Sequence, residues 1–248
     1  MPTHIANHYA HLAKLREGST IVHGPFGLLV DSGLDCDTFN VVVTSAPNAH
    51  VSRADIADVA AQFGGRRFSW WVGPNAPSQI GEVLRDNGLP PGKPEPAMRA
   101  PVRLNGQSTM DIRQVSSPTD LHDYAGVLAA NWSPPDLDVI RFYSEVAERQ
   151  LRAGGPLILL VAHADGRAVG TAEVALGDDG VAGLYNVATL DSFRRKGIGQ
   201  ALTEHALFEA GRSGMTVVEL QASELGRGIY ERVGFVSLGA WHEHQPVI

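Results

Sequence analysis

The sequence predicts an α/β chain of the α+β kind, a mixed and mostly antiparallel sheet flanked by helices, in two tandem copies spanning residues 1–108 and 109–248. Three observations predict it. A strand-like stretch at 185–190 runs into the basic, glycine-rich turn Arg194-Arg-Lys-Gly-Ile-Gly199 and then into an amphipathic helix from Gln200. Upstream, three strands joined by short turn-forming connections read as an antiparallel meander. A constant offset also lays the first half on the second without a gap, setting Val41-Val42-Val43 on Val187-Ala188-Thr189 and Gly88-Leu89 on Gly234-Phe235.

The second half resolves element by element. Residues 111–115 form a short strand, and Ser117-Pro118 supplies an N-cap followed by proline at the first helical position. Leu121, Tyr124, Ala125, Leu128 and Trp132 recur at helical spacing as one apolar face. Pro134-Pro135 ends that helix, and a second runs from 137 to 151. The meander strands cover 156–163, 167–176 and 181–190, linked by Asp165-Gly166 and by Gly177-Asp-Asp-Gly180. After the helix from Gln200 come a strand at 217–223, a helix ending at Gly234 and a closing strand from Phe235.

In the first half, the offset pairs Ile56 with Leu202, Ala60 with Ala206 and Val83 with Ile229, so helix phase agrees although identities are few. The Pro-rich run Leu89–Pro96 marks the end of the last helix of this copy. The glycine-rich turn is missing from it: Asn48-Ala-His-Val-Ser-Arg53 stands where the second half has Arg194 to Gly199, and Leu84 stands where it has Tyr230. The first copy reads as degenerate, a support for the fold, a cleft wall or a partner surface.

Composition sets bounds. A chain of 248 residues can bury a substantial core. Its longest clear apolar run, Leu157–Ala162, is far too short for a bilayer, and residues 1–18 lack the apolar segment of a signal peptide. A lone cysteine, Cys36, excludes an internal disulfide and suits a reducing cytoplasm. A net charge of −7 argues against a general nucleic-acid binder and is compatible with a cationic substrate.

A strand that ends in such a turn and opens a helix leaves backbone N–H groups pointing one way at the positive end of a helix dipole, a concavity that binds diphosphates. Arg194, Arg195 and Lys196 add positive charge. The third glycine of the dinucleotide fingerprint is missing, as is any Gly-x4-Gly-Lys-Ser/Thr run. Together with the downstream block Tyr230-Glu-Arg-Val-Gly-Phe235, the order strand, Arg-x-x-Gly-x-Gly, helix, strand, helix resembles the GNAT superfamily of acetyl-CoA-dependent N-acetyltransferases, over roughly residues 110 to 248.

The resemblance implies a site. The strand before the motif would splay from its neighbour, so that Val187, Ala188 and Thr189 pair with the pantetheine arm of acetyl-CoA and one backbone N–H polarises the acetyl carbonyl. The turn of Arg194, Arg195, Lys196, Gly197, Ile198, Gly199 and Gln200 would hold the diphosphate. Tyr230 would protonate the departing thiolate. Two positions depart from the family pattern. Ser223 replaces the usual Asn seven residues before the tyrosine, and the run 181–186 carries no carboxylate to act as base. Glu173 on the neighbouring strand is the substitute base; a backbone carbonyl with a water chain, or binding of the minor neutral amine, serves equally.

The expected activity is acetyl transfer to a primary amine of a small molecule or peptide by direct attack; the competing reading is an acyl-CoA sensor or interaction module without turnover. An acyl group longer than acetyl is a third. A homodimer is compatible with the repeat. His4, His8 and His11 share a helix face without a carboxylate or cysteine at ligand spacing, which reads as a solvated terminal helix and not as a metal site. His242 and His244 alternate on the closing strand, Trp70 and Trp71 put one indole on each strand face, and Cys36 reads as a small apolar residue.

Overall fold

The computed structural model describes residues 4–104, 109–152 and 154–247. The chain divides into two compact units, residues 1–97 with 238–248, and residues 98–237.

The first unit opens with α1 (His4–Leu15), β1 (Thr20–Gly24), β2 (Gly27–Asp31) and β3 (Val41–Thr44). It continues through α2 (Arg53–Phe63), β4 (Ser69–Val72) and α3 (Gln79–Asp86). Its sheet runs β1-β2-β3-β4, antiparallel except for the parallel pair β3/β4. Val42, Ile56, Val59, Phe63, Trp70, Ile80 and Leu84 pack as its core. Trp70 is buried and Trp71 half-buried, as strand alternation requires. Cys36 is buried as a small apolar residue. The terminal helix differs from expectation: His4 and His8 are buried with Ile5 and Leu12, so α1 turns its histidines inward and is not solvated all round.

The second unit begins within β5 (Glu95–Pro101) and continues with β6 (Asp111–Gln114), α4 (Pro118–Ala129) and α5 (Leu137–Gln150). The meander is β7 (Leu157–Ala164), β8 (Arg167–Leu176) and β9 (Val181–Thr189), antiparallel throughout. A 3₁₀ turn (Asp191–Phe193) leads to α6 (Ile198–Arg212), then β10 (Val217–Gln221) and α7 (Arg227–Val233). Ser117 caps α4 in a reciprocal box with Asp120, and Pro118 sits at the first turn. The sheet order is β5-β10-β9-β8-β7-β6, with β9/β10 the parallel pair. Its core gathers Val169, Ala172, Val174, Leu202, Ala206, Val218 and Leu220, with Tyr230 and Phe235. The elements after residue 109 follow the expected order.

The boundary expected at 108/109 falls against residues 105–108, which lie outside the described residues. The last strand, β11 (Val236–His244), was expected with the second copy. From Leu238 onward it belongs to the first unit and runs antiparallel to β4, with His242 opposite Val72 and His244 opposite Trp70. Residues Met98–Pro101, next in sequence after the first unit, lie instead beside β10, where Arg99 Nε donates to Glu219 Oε1 at 2.7 Å. Each unit thus completes its sheet with a strand that sequence order assigns elsewhere. Among the described residues, no helix is long and apolar enough to cross a membrane.

Candidate functional site: a cleft between β9, α6 and α7

The chain enters α6 through Arg195 at φ 61° and Gly197 at φ 82°, both left-handed. Gly197 is the N-cap and supplies no side-chain bond. The first helical bond runs from Ala201 N–H to Gly197 C=O at 3.0 Å, so the N–H groups ahead of it have no helical acceptor. Nothing lies within 4 Å of the position a Gly197 Cβ would take, which leaves room for a ligand beside bare backbone.

The three cations of the turn are not equivalent. Arg194 is tied down locally, pairing with Asp191 at 2.8 Å and donating from Nε to Thr189 C=O at 3.2 Å. The Lys196 ammonium lies over the Phe193 ring, 4.6 Å from its centroid. Arg195 is exposed.

β9 opens toward its parallel neighbour. Its pairing with β10 runs from Val181↔Val217 to Gly183↔Glu219 and stops there. Beyond it β9 carries a bulge: Thr171 faces Ala188 while Glu173 faces Tyr185, and Asn186 adopts φ 52°. Val187, Ala188 and Thr189 follow directly and line the cleft.

Tyr230 is buried on α7 with its ring edge-on to Phe235, centroids 5.7 Å apart, and it lines the same cleft. Ser223 also lines it, but its Oγ accepts the Gly226 N–H at 3.2 Å, so the hydroxyl already serves the start of α7. Glu173 stands apart. It is fully buried, and its Oε2 accepts from Tyr124 OH at 2.9 Å, Tyr143 OH at 3.0 Å and Asn186 Nδ2 at 2.9 Å. Burial first, and the Glu173 charge second, push both phenols well above the ordinary tyrosine range, so both remain protonated donors.

The cleft is about 650 Å³. It gathers Val187, Ala188, Thr189, Arg194, Arg195, Gly197, Ile198, Gly199, Gln200, Ser223 and Tyr230; Lys196 and Glu173 do not line it. It also takes in Asn131, Leu225, Ile229 and Arg232, which the sequence did not single out. Ile229 and Arg232 were legible as helix neighbours of Tyr230; nothing local marks Asn131, whose Nδ2 donates to Leu128 C=O at 2.9 Å at the end of α4. Unfilled helix N–H groups, exposed basic side chains and an open strand edge fit an elongated anionic ligand such as a diphosphate bearing an amide-containing arm.

The segment of the first unit that the sequence offset sets against this turn is closed. Ser52 caps α2 in a reciprocal box with Asp55, whose Oδ2 accepts the Ser52 N–H at 2.8 Å. A carboxylate of the chain itself thus occupies the anion-favouring end of that helix. The β3/β4 ladder is zipped to its last pair, Thr44↔Val72, and extended by Gly73 N–H to Thr44 C=O at 2.8 Å.

Residues 156–237 match the model of the acetyltransferase (GNAT) domain. No curated protein matches. Among solved structures, a GCN5-related N-acetyltransferase from Kribbella flavida is similar over 97% of this chain and 93% of its own, at 18% identity and TM-score 0.70. A functionally unknown conserved protein from Staphylococcus epidermidis is similar over 93% of this chain and 94% of its own, at 17% identity and TM-score 0.62. An acetyltransferase from the GNAT family of Colwellia psychrerythraea covers 72% of this chain and 65% of its own, at 17% identity and TM-score 0.52. At these identities the structures speak for the fold, and the family model speaks for residues 156–237, which match the acetyltransferase (GNAT) domain.

Proposed function

We propose that this chain transfers an acetyl group from acetyl-CoA to a primary amine of a small molecule or peptide, in the cytoplasm, by direct attack. The observation that carries the reading is one cleft joining the uncapped start of α6, the open edge of β9 after its bulge, and Tyr230. Acetyl-CoA brings the activated acyl group as a thioester. The N–H groups at the start of α6, with Arg195, hold the diphosphate. Val187–Thr189 offer backbone groups to the pantetheine amides and a donor to the acetyl carbonyl. Tyr230 supplies the proton to the departing sulfur, its phenol being held in place by packing.

Among the described residues no carboxylate lines the cleft, which supports entry of the amine in its neutral form over deprotonation by Glu173. The first unit, with its capped helix and zipped strands, is read as a degenerate copy without a cofactor site. A second reading, an acyl-CoA sensor without turnover, is favoured by the engaged Ser223 hydroxyl. Free-thiol release from acetyl-CoA across a panel of amines, beside calorimetric acetyl-CoA binding, decides. Release with one amine class supports the enzyme; binding without release across a wide panel supports the sensor; no binding sinks both.

A further inference from the structure

Between the pairs Thr171↔Ala188 and Glu173↔Tyr185, one residue of β8 faces two of β9. The extra residue is accommodated by Asn186 in the left-handed region at φ 52°, a conformation that asparagine tolerates better than other side chains but does not favour unaided. Both flanking β8 residues hold it. Thr171 Oγ1 donates to the Asn186 carbonyl at 2.9 Å, and Asn186 Nδ2 donates to Glu173 Oε2 at 2.9 Å. The same oxygen accepts Tyr124 OH from α4 and Tyr143 OH from α5. The two phenol rings meet edge to face with centroids 5.0 Å apart. A buried carboxylate with three donors on one oxygen is a hub, shut off from the cleft in which a base would have to meet an amine.

We propose that Glu173 is a positioning residue: it holds the Asn186 bulge, and through it sets the direction in which Val187–Thr189 present their backbone groups to the cleft. Tyr124 and Tyr143 tie α4 and α5 to the same bulge through Glu173, so these two helices and the strand that lines the cleft share one anchor. This inference rests on the reading of the cleft as an acetyl-CoA site.

The test uses the full chain and the variants Glu173→Gln, Tyr143→Phe, Asn186→Gly and Asn186→Val. Calorimetry reads acetyl-CoA affinity, steady-state kinetics read kcat and KM against pH, and the Cα and Cβ chemical shifts of residue 186 in the ligand-free protein report its backbone conformation. The positioning role predicts that Glu173→Gln and Asn186→Val weaken acetyl-CoA binding about tenfold or more, with kcat/KM keeping the shape of its pH profile. Asn186→Gly, which adopts the left-handed conformation freely, recovers most of the affinity that Asn186→Val loses. Tyr143→Phe moves in the same direction by a smaller step and stands in if Glu173→Gln does not fold. Unchanged affinity in Glu173→Gln, with kcat collapsed and one ionisation gone from the pH profile, would make Glu173 a base and overturn the proposal. Equal losses in Asn186→Gly and Asn186→Val would overturn it too. Failure of the wild type to bind acetyl-CoA would sink the underlying function instead; the ligand-free shifts still decide the anchor, since an unmoved residue 186 in Glu173→Gln overturns it.

Discussion

Ile198, the first residue of α6, rests on Gly170 of β8 so closely that a Cβ at 170 would come within 2.7 Å of Ile198 Cγ2. The same Cβ would meet Leu202 Cδ1 at 3.0 Å and the Ala188 carbonyl at 3.1 Å. The glycine lets the helix start sit directly on the strand. Gly170→Ala is therefore expected to destabilise by about 1–3 kcal/mol through overpacking and to lift the start of α6. Thermal denaturation and acetyl-CoA calorimetry check this together. A variant with wild-type melting and affinity would show that the helix start is not seated by this contact.

Gly197 and Gly199 separate backbone strain from packing. Gly197 has φ 82° and open space around a prospective Cβ, so Gly197→Ala meets strain alone, about 1–2 kcal/mol. A Cβ at Gly199 would lie 3.2 Å from Ile229 Cδ1, a contact with α7. Gly197→Ala is expected to weaken acetyl-CoA binding by about tenfold with little change in melting, because the ligand-free turn relaxes out of the left-handed conformation and must re-adopt it, at the cost of that strain, when acetyl-CoA binds. Gly199→Ala should chiefly lower the melting temperature by pressing α6 and α7 apart. Calorimetry beside thermal melts would refute the distinction if both variants lost affinity and stability in the same proportion.

Much of this was legible before the structure. The order of elements after residue 109 follows from periodicity and turn residues, and the basic, glycine-rich turn announces itself. The bulge was not legible, because Asn186 lies in an ordinary strand-like run and its left-handed conformation depends on Thr171 and Glu173 across the sheet. The carboxylate-free run 181–186 directed attention to Glu173 as a base. Only burial and its three donors reveal a different environment. The exchange of final strands was equally hidden, since pairing partners for β5 and β11 are set by available sheet edges and not by local sequence.

Tyr230 is held tightly enough for a clean substitution. A Cβ on Gly226 would come within 2.8 Å of its Cε2, and Phe235 packs against the ring. Tyr230→Phe keeps that packing and removes the proton, so kcat should fall by about tenfold to a thousandfold with acetyl-CoA affinity nearly intact. An unchanged kcat on the best amine acceptor would remove Tyr230 from the mechanism.

The first unit carries a pH dependence of its own. Burial, and after it the neighbouring Glu243, push Glu95 up to about 7 from an ordinary 4.5. The folded state then holds the proton more tightly than the unfolded chain. Stability from this group is full below about pH 4.5 and is lost as pH rises toward 7, a loss on the order of 2 kcal/mol. Glu95→Gln should raise the melting temperature at pH 8 and leave it nearly unchanged at pH 4.5. Parallel melting curves for variant and wild type across that range would place the charge elsewhere.

The last strand makes a sharper claim about where this chain can be cut. From Leu238 it belongs to the first unit: Trp241 is wholly buried, and a Cβ on Gly73 would meet its ring at 2.9 Å. His244 Nδ1 bonds the Leu89 carbonyl at 2.9 Å, and Gly92 N–H donates to Glu243 C=O at 2.7 Å. In the second unit the buried Met98 and Ala100 of β5 join the core beside β10. A fragment of residues 109–248 therefore lacks β5 and carries an unpartnered, partly apolar strand, whereas 98–237 keeps every strand of its unit. The expectation is that 98–237 is soluble, resists proteolysis and binds acetyl-CoA, while 109–248 aggregates. Deleting 238–248 from the full chain should expose the first unit to protease and spare the second. If 109–248 instead folds as well as 98–237, the two end strands contribute little to either sheet, and the exchange has no hold on stability.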